Sequence, residues 1–231
     1  MVGAALQLST FQETFQLAVY FLDRFLQEEL PSLKKDDLQL VGVTALLLAT
    51  KYEETFPAKV SELSFMAGGG APEENILKTE IKMLRVLRLS LSVPVPIQFL
   101  RWAHLEDPGL VKKETHCLAK YILELSLVDY RLTHLLPSAR AAAALALAIR
   151  LLGTSATVCQ WTKKLEKSTK YSLVYLWPFA KRMAQVLNVA STNRTLLTIY
   201  RKFSNQVLMK VARLPVLTSP LVAHLTQSAY Y

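Results

Sequence analysis

Apolar residues recur at helical intervals along most of the chain. Phe15, Ala18, Val19, Leu22, Phe25 and Leu26 fall three or four apart with Asp23 and Arg24 between them, the pattern of a helix that buries one face. Thr10 and Glu13 stand ahead of it at the spacing of a capping box, and Pro31-Ser32 ends it. Residues 38–50 carry no charge. A helix so apolar on every side must be enclosed by others, so a central helix capped by Asp36 or Asp37 is expected. After Pro57 a short helix carries Val60, Leu63 and Met66 until Gly68-Gly69-Gly70 stops it. Pro72, Glu73 and Glu74 open the next, with an expected core face of Ile76, Ile81, Leu84 and Leu87.

Pro94 and Pro96, one residue apart, force extended backbone and remove two donors. They mark a junction between two domains. The plan then repeats, with helices expected over 96–104 and 112–128 and an alanine-rich, largely buried helix opened by Pro137 and ended by Gly153. Amphipathic segments near 156–166, 171–188 and 194–205 follow. Each half therefore holds one enclosed helix preceded by a long amphipathic one, as two copies of a five-helix unit would produce.

Composition narrows the class. Of 231 residues 52% are hydrophobic and 19% charged, enough to bury a large core. Only 7 glycines and 10 prolines are present, too few for turn-dense sandwiches, propellers or collagen-like repeats. The fold class is all-α. Neither a membrane span nor a signal segment is expected, because the uncharged runs are short or interrupted by Pro215 and Pro220. Cys117 and Cys159 lack CxxC spacing, so a reducing compartment fits better than a disulfide framework or a zinc cluster. Charge is unevenly placed: residues 1–100 hold 9 Lys/Arg and 12 Asp/Glu, whereas 101–231 hold 18 and 6. A basic half suits nucleic acid or an acidic protein, and Lys163-Lys164 with Lys167 is its densest group.

Catalytic signatures are missing. There is no phosphate-binding glycine motif, and Gly68-Gly69-Gly70 lacks a following Lys-Ser/Thr. His104, His116, His134 and His224 show no metal-ligand spacing, and His116 points away from neighbouring Cys117 on a helix. No metal, no cofactor and no enzymatic activity are expected. One segment stands out on physical grounds, Thr50-Lys51-Tyr52-Glu53-Glu54-Thr55-Phe56-Pro57 at the end of the central helix. Two carboxylates there oppose the helix dipole. Beside a long apolar run, such charges suit a polar clamp that fixes a partner helix in an apolar groove.

The same residues resemble the cyclin family. Residues 17–26 (LAVYFLDRFL), 38–42 (LQLVG), 49–54 (ATKYEE) and 77–80 (LKTE) are similar to its first box. Asp129-Tyr130, Pro137-Ser138 and the alanine-rich helix resemble the second box of mitotic members, and Lys202-Phe203-Ser204 with residues 214–217 resembles the tail of B-type members. The resemblance implies two tandem five-helix cyclin boxes at 1–93 and 94–217, with 218–231 as a tail. It also implies that the chain enters near the end of the family's first box helix, without the MRAIL-like stretch and following tryptophan.

What the resemblance implies is a regulatory subunit that binds and activates a cyclin-dependent Ser/Thr protein kinase at the G2/M transition, in nucleus and cytoplasm. Catalysis resides in the partner. The kinase-binding residues implied are Leu48, Lys51, Tyr52, Glu53, Glu54, Glu80, Leu84, Leu89 and Leu91, with Lys51 and Glu80 hydrogen-bonding kinase backbone around its αC helix. Leu38 and Gln39 match what remains of the patch that docks RxL motifs of substrates or inhibitors, a role weakened without the first helix. Thr55 stands where the family usually has an apolar residue, and Leu89 where it often has phenylalanine. No membrane or nucleic-acid partner is implied. The alternatives are a cyclin-fold protein that binds nucleic acid or resembles a transcription factor, for which the basic second half argues, and a scaffold that holds kinase without activating it. Arg194-Thr195-Leu196-Leu197 has the bare RxxL form but falls within an expected helix.

Overall fold

The computed structural model describes residues 2–227 apart from Leu30, Ser32 and residues 154–160. Its described residues form helices and short 3-10 turns, with no strand among them. The chain divides into two compact units, Met1–Pro94 and Val95–Tyr231.

Unit 1 holds α1 (Val2–Gln7), α2 (Gln12–Glu29), α3 (Asp37–Glu53), α4 (Val60–Met66) and α5 (Glu73–Val86). Helix α3 is the enclosed one: every residue from Val41 to Thr50 is buried, and α2 and α5 cover it most extensively. Each leucine buried there contributes about 1.5–3 kcal/mol relative to exposure. The two threonines in this apolar run satisfy themselves, Thr44 Oγ1 donating to the Leu40 carbonyl and Thr50 Oγ1 to that of Leu47, both at 2.8 Å. Helix α4 ends where Gly68 (φ 58°) and Gly69 (φ 87°) adopt backbone that glycine tolerates best.

Unit 2 holds α6 (Pro96–Glu106), α7 (Lys113–Ser126), α8 (Pro137–Leu152), α9 (Lys163–Thr169), α10 (Leu173–Val189), α11 (Leu197–Phe203) and α12 (Pro220–Gln227). Helix α8 is its enclosed element, buried from Ala139 to Ile149 against α7, α10 and α6. Its alanines let those helices approach closely. Buried Arg140, second in this run, donates from Nη2 to the Leu132 carbonyl at 2.6 Å. The Lys202–Glu124 pair, 2.8 Å, ties α11 to α7 with the carboxylate almost fully buried.

Several sequence expectations are corrected. The Thr10 hydroxyl, ahead of α2, donates backward to the Ala5 carbonyl at 3.2 Å. Glu54, forty or more positions away, supplies an acceptor at the start of α2 that local spacing does not reveal. The core face of α5 is Ile76, Glu80, Met83 and Leu87, whereas Ile81 is 52% exposed and Leu84 half-buried. The expectation skipped a position because a glutamate holds it. Helix α11 begins at Leu197, not 194, because Asn193 Oδ1 accepts from the Thr195 amide at 2.9 Å and holds an Asx turn there. Of the helix expected near 156–166, residues 156–160, Cys159 among them, lie outside the described residues.

Candidate functional site

The site is built by the last turn of α3, the outward side of α5 and the chain that leaves α5. Lys51 Nζ donates to both carboxylate oxygens of Glu80, at 2.7 and 2.8 Å. Glu80 is only 8% exposed, in the helical register of Ile76 and Met83, whereas the Lys51 side chain is 42% exposed. A carboxylate can stand on the core side of α5 because the ammonium reaches it from the surface. Lys51 has three N–H donors and spends two on Glu80, so a third remains at the surface beside α5.

Exposed apolar side chains stand on the same helices and on the chain that follows each. Leu77, Ile81 and Leu84 follow one another by one turn along α5, and the first two are 46% and 52% exposed. Tyr52 and Phe56, 46% and 90% exposed, leave α3 beside Lys51. Leu48, one turn before Tyr52, is buried. Leu89, 72% exposed, is held at φ 57° directly after Arg88 at φ 52°. Two successive left-handed residues without glycine cost on the order of 1–2 kcal/mol each, and such strain gathers where a side chain must be presented. Leu91 follows half-buried, its amide donating to the Leu89 carbonyl at 3.0 Å.

Two implied residues have internal work. Glu54 Oε1 accepts from the Phe11 amide at 2.8 Å and from Thr14 Oγ1 at 2.6 Å, placing a negative charge on the positive end of α2. This explains one of the two carboxylates that oppose the dipole of α3: Glu54 has left the helix and serves another. Glu53 remains exposed in the last turn. Gln39 Nε2 donates to the Ala67 carbonyl at 2.8 Å and so ties α3 to the end of α4, while Leu38 beside it is 42% exposed. Sequence reasoning missed Leu77, Ile81 and Phe56 as surface residues. The one-turn spacing of Leu77 and Ile81, out of register with Ile76 and Met83, is the signal that separates them from the core.

Among the described residues of unit 2, Cys117 and His116 are reactive groups whose pKa values shift. Burial raises the Cys117 thiol above its ordinary pKa, an effect only opposed by nearby Lys120, so the thiol is poorly reactive. Burial, with positive charge from Lys120, His104 and Arg101, lowers the His116 imidazole to about 4. Its ring lies 4.9 Å from that of His104. Among the described residues no group of three His, Cys, Asp or Glu side chains could hold a metal ion, and no helix is long and apolar enough to cross a membrane.

Residues 1–92 match the family described as cyclin, N-terminal domain, and residues 94–217 that described as cyclin, C-terminal domain. The G2/mitotic-specific cyclin-B1 of Xenopus laevis is 36% identical over 230 residues, 98% of this chain and 55% of that protein. The G2/mitotic-specific cyclin-B2 of Rana japonica is 37% identical over 218 residues, 94% and 54% of the two. The chain thus spans about half the length of the curated relatives it matches. A viral cyclin from herpesvirus saimiri shares the fold, with a TM-score of 0.64 at 19% identity over 90% of this chain and 82% of that one. A chain of the CAK complex from Chaetomium thermophilum bound to ATP-gamma-S does so with a TM-score of 0.54 at 21% identity, over 98% and 75%.

Proposed function

The chain belongs to the cyclin family, and from that premise we propose that it is the regulatory subunit of a cyclin-dependent Ser/Thr protein kinase. The single observation that carries the reading is the Lys51–Glu80 pair standing among exposed Tyr52, Leu77, Ile81 and Leu89. An amphipathic kinase helix lays its apolar side on that strip, and Lys51 with Glu80 satisfies backbone groups at its end. Seating the helix called αC lets its glutamate pair with the strand-β3 lysine and draws the activation loop from the active site. Such a subunit binds the competent kinase conformation more tightly than the idle one, and that difference is what activates. The phosphoryl transfer itself belongs to the partner.

The B-type names of the relatives favour a role at the G2/M transition; action in nucleus and cytoplasm is part of the proposal. RxL-bearing substrates or inhibitors would meet exposed Leu38, since the Gln39 amide already serves the Ala67 carbonyl. Co-purification with a mitotic cyclin-dependent kinase, followed by phosphorylation of a histone substrate, tests the reading. Wild-type chain is expected to capture and activate the kinase. Lys51→Ala and Glu80→Ala are each expected to weaken capture by about 1.5–3 kcal/mol, the worth of a hydrogen bond to a charged group. Capture without any rise in phosphorylation would favour a passive scaffold instead.

A further inference from the structure

Unit 2 has an opening that the kinase reading does not use. A cavity of about 330 Å3 lies among α6, α8 and the end of α9. Phe99 and Trp102 of α6 form one wall and Ala141 and Ala142 of α8 another, where the small alanine side chains leave the space unfilled. At its edge Ser138 Oγ and Tyr171 Oη stand 2.9 Å apart as a hydroxyl pair, able to donate to or accept from a backbone amide. Trp102 is 53% exposed, and half-exposed Tyr175 stacks on Tyr171 with ring centroids 5.4 Å apart. The cavity therefore opens onto an aromatic shelf.

The rim is basic. Lys163, Lys164 and Lys167 of α9 and Lys170 just beyond it are exposed, with Glu166 the only acid among them. None of the four lysines is paired with a carboxylate among the described residues. Lys163, Lys167 and Lys170 follow one another by about a turn, and Lys164 stands one turn before Ser168, which lines the cavity. Lys170 itself lines the cavity and closes α9 at φ 66°, a left-handed position that glycine normally takes. A long cation is thus held at the mouth at a conformational cost.

We infer that this cavity and its lysine rim form a docking site for an acidic segment of a partner protein. One bulky apolar side chain of that segment fills the space beside Trp102, and flanking carboxylates lie over Lys164, Lys167 and Lys170. Charge complementarity selects the occupant: a buried apolar anchor supplies affinity, and the lysines supply steering and discrimination. The inference concerns unit 2 alone and stands whether or not unit 1 binds a kinase.

The test uses the full chain and a fluorescein-labelled peptide with one phenylalanine set among aspartates, followed by fluorescence anisotropy. Saturable binding is expected, and it weakens as salt rises. The combined Lys164→Glu, Lys167→Glu and Lys170→Glu variant should weaken it by at least about tenfold, one decade in affinity. Trp102→Ala, a change at an exposed rim, should weaken it too, as should alanine in place of the peptide's phenylalanine; circular dichroism checks that each variant keeps its helices. Binding that ignores the phenylalanine, or survives the lysine reversals, would overturn the inference, as would the absence of saturable binding. Tighter capture of an oligonucleotide of equal charge would overturn it in favour of a nucleic-acid face.

Discussion

Glu54 is the residue whose physical role departs furthest from its place in the sequence. It follows α3, yet its carboxylate holds the first turn of α2 through Phe11 and Thr14. Glu54→Ala is expected to cost about 1–2 kcal/mol, the upper range for losing an N-terminal cap, whereas Glu54→Gln keeps an acceptor and most of the stability; urea unfolding midpoints check both. A capping motif read within four residues cannot reveal an acceptor that arrives from the end of another helix. The family resemblance singled out Glu80 as an expected partner contact, and periodicity did not mark it as a core position, because periodicity counts only apolar residues. Lys51→Ala leaves that carboxylate buried without its cation, and the half-exposed lysine limits the expected loss to about 1–2 kcal/mol. His116 gives a pH signature. Its pKa of about 4 lies below the ordinary 6.5 through burial, Lys120, His104 and Arg101. As pH falls from about 6.5 to 4 the unfolded chain takes up a proton that the folded one refuses, so stability falls across that window and is complete above it. Melting temperatures of His116→Gln should drop less than wild type between neutral pH and pH 4.5.

Among the elements, the enclosed helices were the most legible. An uncharged run of thirteen residues at 38–50, or an alanine-rich run fenced by Arg140 and Arg150, has no stable place except inside a bundle, and both became α3 and α8. Helix ends were less legible, since they depend on side chains whose partners are remote, as at α2, or on local turns that compete with helix, as at Asn193. The exit of α5 gives an element-scale prediction. Leu89→Gly removes strain of about 1–2 kcal/mol and adds unfolded-state freedom of about 0.4–1 kcal/mol, so stability should hold or rise slightly. Kinase affinity should fall nonetheless, because an exposed apolar side chain leaves the strip beside Lys51. Thermal melts and pull-down on the same preparation separate the two effects. A joint loss of stability and binding would mean that Leu89 serves packing instead.

For the molecule as a whole, two units each organise around one enclosed helix, yet their surfaces differ. Unit 1 carries a slight excess of acid and presents exposed apolar side chains along α5 near the Lys51–Glu80 pair; unit 2 is strongly basic. Both domains of the cyclin family are matched within the chain, and the kinase reading assigns the activating contact to the first. That claim rests on the polarity of one pair, so exchanging it is the most direct measurement. Lys51→Glu combined with Glu80→Lys keeps an ion pair between α3 and α5 and reverses what a docking helix meets. The account predicts a chain that retains its helical circular dichroism but neither co-purifies with a mitotic cyclin-dependent kinase nor raises its histone phosphorylation. A folded double variant that captures and activates the kinase as wild type does would contradict it.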